Sequence, residues 1–184
     1  MINQNRIDFW DKHHVTYFQG GSTPLPIASI PMWQDLIKNK AVLEIGPGDG
    51  RQTNQLYTLA KEYSVADISK LVLENFDFDN KYLISDYGIN FNKQFDIILL
   101  FYVFHHVLPE ELEKFIYFLT IHTKITGKLC FNIPTCYDVD ADGTTTTKYN
   151  VGEFKLLLKN NRLEILEEIN ESVDNYLFLV KKNG

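Results

Sequence analysis

The stretch Val42-Leu43-Glu44-Ile45-Gly46-Pro47-Gly48-Asp49-Gly50-Arg51-Gln52-Thr53 constrains the fold of this chain more than any other feature. A short apolar run leads into glycines at alternate positions and then into a segment free to form a helix. Glycine adopts left-handed backbone angles at little steric cost and lets a main chain approach a ligand closely. A helix that begins just after such a turn presents N–H groups with no partner inside the helix. The stretch is therefore read as a buried strand, a tight turn and a helix start, with room for a nucleotide-like ligand at the strand's end.

The rest of the chain repeats the alternation. Short apolar runs at 41–45, 64–66, 82–84, 95–100 and 129–133 read as strands, mostly bounded by Gly, Pro, Asp or Asn. Between them Leu56, Leu59, Ala60 and Tyr63 recur at helical spacing, as do Leu112, Phe115, Ile116 and Leu119. Strands alternating with amphipathic helices predict a mainly parallel sheet with helices on both faces. A polar loop at 135–148 precedes a further helix with Val151, Phe154, Leu157 and Leu158 on one face. Two alternating segments, 162–169 and 175–181, then read as a hairpin at the sheet edge. Ahead of the first strand, 7–18 and 27–38 read as helices rich in aromatics, among them Phe9, Trp10, Tyr17, Phe18 and Trp33. With 184 residues the chain suits one domain: a helical preamble or lid at 1–39, a ligand-binding core at 40–134, and a substrate-side loop, helix and hairpin at 135–184.

Composition narrows the function classes. Hydrophobic residues at 45% and charged residues at 23% are globular values. The longest apolar run, 97–104, is too short to cross a bilayer, and the N-terminus lacks the basic and then apolar order of a secretory signal, so a cytoplasmic protein is expected. Cys130 and Cys136 do not form a CxxC pair; both read as free thiols, and no metal site is expected. A net charge of -6 without a Lys/Arg run disfavours nucleic acid, whose binding usually shows as a basic patch. The segment Asp138-Val139-Asp140-Ala141-Asp142-Gly143 begins like a calcium loop, yet its twelfth position is Tyr149 where a Glu is needed, so a solvated turn is the preferred reading.

The glycine spacing is not that of the dinucleotide fingerprint GxGxxG, because one residue rather than two separates the second and third glycines. Glu44, two residues before Gly46, would repel a pyrophosphate but favour a ligand carrying ammonium and sulfonium charges. Asp67, seventeen residues after Gly50 at the tip of the second strand, can accept two hydrogen bonds from a ribose diol, with Ser69 free to cap the next helix. Asp86 can accept from an adenine amino group while the Tyr87 amide donates to a ring nitrogen, although an Asx turn explains the same residues nearly as well.

These features, in this order, resemble the class I S-adenosylmethionine-dependent methyltransferases. Residues 42–50 look like that family's first motif, two hydrophobic residues followed by Glu/Asp-x-Gly-x-Gly-x-Gly, and Asp67 and Asp86 match its ribose-binding and adenine-binding acidic positions. Residues 95–106 are similar to the family's fourth strand and following loop, and Lys124-Ile125-Thr126-Gly127-Lys128-Leu129 resembles the turn into the fifth, with Pro-Gly-Gly reduced to Gly127. The resemblance implies a Rossmann-like doubly wound sheet of seven strands with the last antiparallel. It also implies S-adenosylmethionine as cofactor and S-adenosylhomocysteine as product. The implied cofactor set is Glu44, Gly46, Gly48, Gly50, Asp67, Ile68, Asp86, Tyr87, Phe101 and Tyr17.

His105 and His106 follow the fourth strand, at the end where open parallel sheets place ligands. An imidazole's ordinary pKa of about 6.5 suits removal of a proton from a hydroxyl or amine acceptor, His106 being preferred over His105; packing or helix capping is the competing role. Trp10, Tyr17 or Tyr102 can face a sulfonium, or the preamble aromatics can be ordinary helix core. The loop after the fourth strand lacks an Asn/Asp-Pro-Pro-Tyr/Phe sequence and a Cys, which together with the acidic charge disfavours nucleic acid, and the short insertions favour a small-molecule acceptor. The alternatives are a catalytically silent S-adenosylmethionine-binding module and an NAD-dependent oxidoreductase. The acceptor's identity and the oligomeric state stay open.

Overall fold

The computed structural model describes residues 2, 4–13, 31–134, 147–172 and 175–184. Tyr17, Cys136 and the calcium-like segment at 138–143 lie outside them. The chain divides into two compact units, Met1–Phe91 and Asn92–Gly184.

In the first unit α1 (Gln4–His13) and α2 (Pro31–Ile37) precede β1 (Ala41–Ile45), α3 (Thr53–Leu56), β2 (Glu62–Asp67), α4 (Lys70–Glu74) and β3 (Lys81–Leu83). β1 pairs parallel with β2, Ala41 opposite Glu62 through Ile45 opposite Ala66, and β2 pairs parallel with β3, Val65 opposite Lys81. Val42, Leu43, Val65 and Ala66 are fully buried, as expected of parallel strands covered on both faces. α3 is one turn that tightens into a 3-10 turn, Tyr57–Leu59, and Ala60 is already extended at ψ 152. Tyr63, counted above in a helical stripe, consequently belongs to β2, opposite Val42. Its spacing from Leu56 and Leu59 is coincidental, because pairing with β1 claims the chain from Glu62 onward.

The second unit holds β4 (Phe95–Leu100), a 3-10 turn (Phe104–His106), α5 (Pro109–His122), β5 (Thr123–Pro134), α6 (Val151–Asn160), β6 (Leu163–Ser172) and β7 (Asn175–Lys182). β4 and β5 are parallel, while β7 runs antiparallel to both β5 and β6. α5 starts with Pro109 in its first turn, where a missing N–H costs nothing, and Glu111 Oε2 accepts weakly from the Leu108 amide at 3.4 Å. Its C-terminus is closed from β7, where Lys182 Nζ donates to the Thr120 and Thr123 carbonyls at 2.7 and 2.8 Å. β5 begins earlier than its apolar run suggests and bulges before Lys128, with Thr126 at φ 66. Gly127 is required there, since a Cβ would lie 2.8 Å from Thr123 Cγ2 and 2.9 Å from the Lys124 carbonyl. Phe104, Phe115, Phe118, Phe131, Phe154 and Phe178 form the buried centre of this unit.

Strand order along the sheet is β3-β2-β1-β4-β5-β7-β6. It is the seven-stranded Rossmann-like arrangement with a reversed last strand that the resemblance implies. Among the described residues no helix is long and apolar enough to cross a membrane.

Candidate functional site

In the first unit the glycine turn leaves β1 with the Gly46 amide bonded to the Ala66 carbonyl at 2.8 Å, so the turn is anchored to β2. Gly46, Gly48 and Gly50 have φ of 67, 56 and 79, backbone angles that a side chain would strain. Gly50 also abuts Phe76, whose Cε1 lies 2.8 Å from where a Cβ would stand. Asp49 accepts from the Arg51 amide at 3.1 Å and from Arg51 Nε at 2.5 Å, so the cation of the turn is paired within the turn itself.

Glu44 is buried, and its Oε2 accepts from Thr53 Oγ1 at 2.5 Å and the Tyr63 hydroxyl at 2.8 Å. Burial pushes its pKa up to about 7, against the pull of the two hydroxyls, with Asp49 adding to the rise. Burial and the neighbouring Glu44 carboxylate also push the Tyr63 hydroxyl up. Glu44, expected beside a cationic ligand, is thus tied into the scaffold and fastens the start of α3 to β1 and β2. Thr53 and Tyr63 were not legible as its partners, because that meeting depends on strand pairing.

Asp67 ends β2 and is buried, with Oδ1 accepting from the Ser69 amide at 2.8 Å. Burial raises its pKa to about 7, opposed by the Ser69 and Ile68 amides and assisted by Asp11. Ser69 caps α4 as anticipated, accepting from the Val72 amide at 3.1 Å, and its hydroxyl donates to Asp11 of α1 at 2.5 Å. Asp11 is a residue the sequence gave no reason to select, since nothing in the preamble's pattern places α1 against the tip of β2. Asp86 forms the Asx turn, accepting from the Gly88 amide at 2.7 Å, and Tyr87 beside it is buried. The first unit therefore brings together Glu44, the three glycines, Asp67, Ile68, Asp86 and Tyr87 at or beyond the C-terminal ends of its strands.

In the second unit β4 runs into buried Phe101 and then Tyr102, whose amide donates to Asn132 Oδ1 at 2.7 Å. His105 and His106 sit on the 3-10 turn that follows, both half-buried, with ring centroids 6.2 Å apart. Tyr149 braces this turn, its hydroxyl lying within hydrogen-bond reach of both the Phe104 and Val107 carbonyls, at 3.1 and 2.8 Å. The Thr147 amide donates to the His105 carbonyl at 2.7 Å. Asn132 and Tyr149 are supports that sequence reading missed; a lone Asn in an apolar strand and a Tyr after a polar loop carry no motif.

Residues 43–131 match the methyltransferase domain family. Over those residues the chain is similar to methyltransferase domains. No curated protein matches it by sequence. An S-adenosylmethionine-dependent methyltransferase from Clostridium acetobutylicum is similar in structure at 16% identity and a TM-score of 0.71, covering 99% of this chain and 100% of that one. A Burkholderia thailandensis 1,6-didemethyltoxoflavin-N1-methyltransferase, solved with 1,6-didemethyltoxoflavin and S-adenosylhomocysteine, is 11% identical at a TM-score of 0.76, covering 98% and 87%. The N-methyltransferase NodS from Bradyrhizobium japonicum, in complex with S-adenosylhomocysteine, is 15% identical at 0.73, covering 98% and 100%. At such identities the likeness establishes the fold.

The groups at these strand ends are compatible with S-adenosylmethionine. A carboxylate at the tip of β2 suits a neutral diol, and the paired Arg51 offers no counter-charge for a pyrophosphate.

Proposed function

We propose that this methyltransferase acts on an oxygen or nitrogen of a small molecule. The observation that carries the reading is that the turn with three left-handed glycines leaves β1 hydrogen-bonded to Ala66, next to the buried Asp67 that ends β2. In this reading Gly46, Gly48 and Gly50 leave space for the cofactor's backbone approach. Asp67, flanked by Ile68, accepts from the ribose hydroxyls. Asp86 and the Tyr87 amide take the adenine, and Glu44 holds the turn's helix in place.

When bound, S-adenosylmethionine supplies a methyl group on a positive sulfur, which leaves by in-line displacement. The chain's contribution is to align the reactants, worth roughly 7 kcal/mol or more in favourable cases. It also takes up the acceptor's proton, a role given first to His106 and then to His105. Small acceptors are favoured by the fold relatives named for them, including a 1,6-didemethyltoxoflavin-N1-methyltransferase and a magnesium protoporphyrin IX methyltransferase.

Calorimetry with S-adenosylmethionine, S-adenosylhomocysteine and NADH tests the cofactor, with the first two expected to bind and NADH not. Tight NADH binding with no response to the others would sink the reading. A screen of hydroxyl and amine metabolites, read by S-adenosylhomocysteine release, then separates an enzyme from a silent module. On the acceptor so found, His106→Ala is expected to lower turnover about a hundredfold with S-adenosylhomocysteine affinity retained.

A further inference from the structure

Gly50 closes the turn that leaves β1. Its amide donates to the Pro47 carbonyl at 3.0 Å, and its carbonyl accepts from the Asn54 amide of α3 at 2.8 Å. A side chain at Gly50 would meet Phe76, 2.8 Å from Cε1 and 3.3 Å from Cζ, closer than real Cβ atoms come. The buried Phe76 ring thus fills the place of that side chain and packs on the backbone of the turn. Phe76 itself comes from the connection between β2 and β3, two residues after α4. Lys81 Nζ, from the first residue of β3, donates to its carbonyl at 2.9 Å, and its ring stacks on Phe78 with centroids 5.9 Å apart and planes at 11°. Phe78 in turn lies 6.2 Å from the ring of Tyr63, whose hydroxyl holds Glu44. One group of rings therefore fastens both ends of the turn, Glu44 through Tyr63 and Gly50 through Phe76.

In the reading above, Asp86 beyond β3 takes the adenine and Asp67 at the tip of β2 takes the ribose. β1 is the next strand of the sheet, so the amino-acid end of the cofactor falls to its turn. We propose that Phe76 is a positioning residue for that end, acting through Gly50 to set the backbone from Pro47 to Gly50 on which the homocysteine portion rests. The proposal rests on the cofactor reading above and adds to it a residue that carries no motif. Small misplacements of a binding backbone are costly, so a ring that fixes the turn governs affinity for the part of the ligand the turn receives and leaves the rest alone.

The probes are S-adenosylhomocysteine and 5'-methylthioadenosine, which keeps the adenine and ribose but lacks the amino-acid portion. Calorimetry on the wild type should show S-adenosylhomocysteine binding the more tightly. Phe76→Leu keeps most of the buried volume but sets no ring against Gly50. It should weaken S-adenosylhomocysteine about tenfold or more and leave 5'-methylthioadenosine within twofold, whereas a general loss of packing would weaken both alike. Gly50→Ala should show the same split, and the double variant should lose no more than the weaker-binding single variant, because both changes break one contact. Should Phe76→Leu fail to fold, NMR of the wild type carrying ring-labelled phenylalanine gives the answer: the Phe76 signals should move with S-adenosylhomocysteine and stay in place with 5'-methylthioadenosine. Equal wild-type affinity for the two ligands, equal weakening of both in Phe76→Leu, or no weakening of either overturns the proposal. So do losses that multiply in the double variant, and ring signals that respond to both ligands or to neither. Absence of S-adenosylhomocysteine binding by the wild type would instead refute the cofactor reading beneath it.

Discussion

Two buried carboxyls set the chemistry at the residue scale, and both are shifted toward neutrality by burial. Glu44 rises from 4.5 to about 7 in the fold, so the native state binds its proton more tightly than the unfolded chain. The stability this confers is complete below about pH 4.5 and is lost as pH rises through about 7. At ~1.4 kcal/mol per unit the effect is on the order of 3 kcal/mol. Glu44→Gln should therefore flatten part of the decline in melting temperature between pH 5 and 8, leaving the share that Asp67 contributes. A variant with the wild-type slope would show that Glu44 does not titrate in that window. In the proposed reading Asp67 accepts both ribose hydroxyls as a carboxylate; with its pKa raised to about 7, cofactor affinity should then fall as pH drops from 8 to 6. Asp67→Ala should weaken S-adenosylhomocysteine by about 1.5 to 3 kcal/mol, the scale of a hydrogen bond to a charged group. A 2',3'-dideoxy analogue should lose nothing further in that variant; an equal loss for the analogue would assign Asp67 another role.

At the scale of elements, the short segments beyond the strand ends are held from outside by side chains far away in sequence. At the end of the 3-10 turn carrying His105 and His106, the Val107 carbonyl is reached by the Tyr149 hydroxyl, while the Phe104 carbonyl also accepts from the Val107 amide. A buried acceptor left without a partner costs about 1 to 3 kcal/mol. Tyr149→Phe is expected to lower stability within that range and to cut turnover on an identified acceptor more than it changes S-adenosylhomocysteine affinity. Equal losses in both would mean that Tyr149 supports the fold generally and not this turn. α6, by contrast, carries its own start signal, with Asn150 accepting from the Gly152 and Glu153 amides at 2.9 and 3.2 Å.

For the molecule as a whole, the proposed reading couples cofactor binding to folding, because the glycine turn and Asp67 come together only when β1 and β2 are paired. A ligand at about a hundred times its dissociation constant stabilises the native state by about 2.7 kcal/mol. For a chain of this size that corresponds to a rise in melting temperature of roughly 5 to 10 °C. Thermal unfolding with saturating S-adenosylhomocysteine should show that rise, and NADH at the same concentration should show none. A shift with NADH alone would return the glycine turn to the dinucleotide class.

The sequence by itself determined the elements whose signals are local. β1 and β4 lie where their apolar runs lie, the left-handed positions of the turn are glycines, and Ser69 and Asn150 cap their helices through hydrogen bonds two or three residues long. It also yielded the candidate acids Asp67 and Asp86, since strand tips are fixed once the strands are. Tertiary structure decided everything that depends on which segments become neighbours. It moved Tyr63 from a supposed helix face to β2, where its hydroxyl meets Glu44 nineteen residues earlier in the chain. It set Asp11 against Ser69 and Asn132 against the Tyr102 amide, contacts separated by 58 and 30 residues. Periodicity reports which face of an element is apolar, but a hydrogen bond across such distances is created by strand register and helix docking, and these arise from the pairing of whole elements.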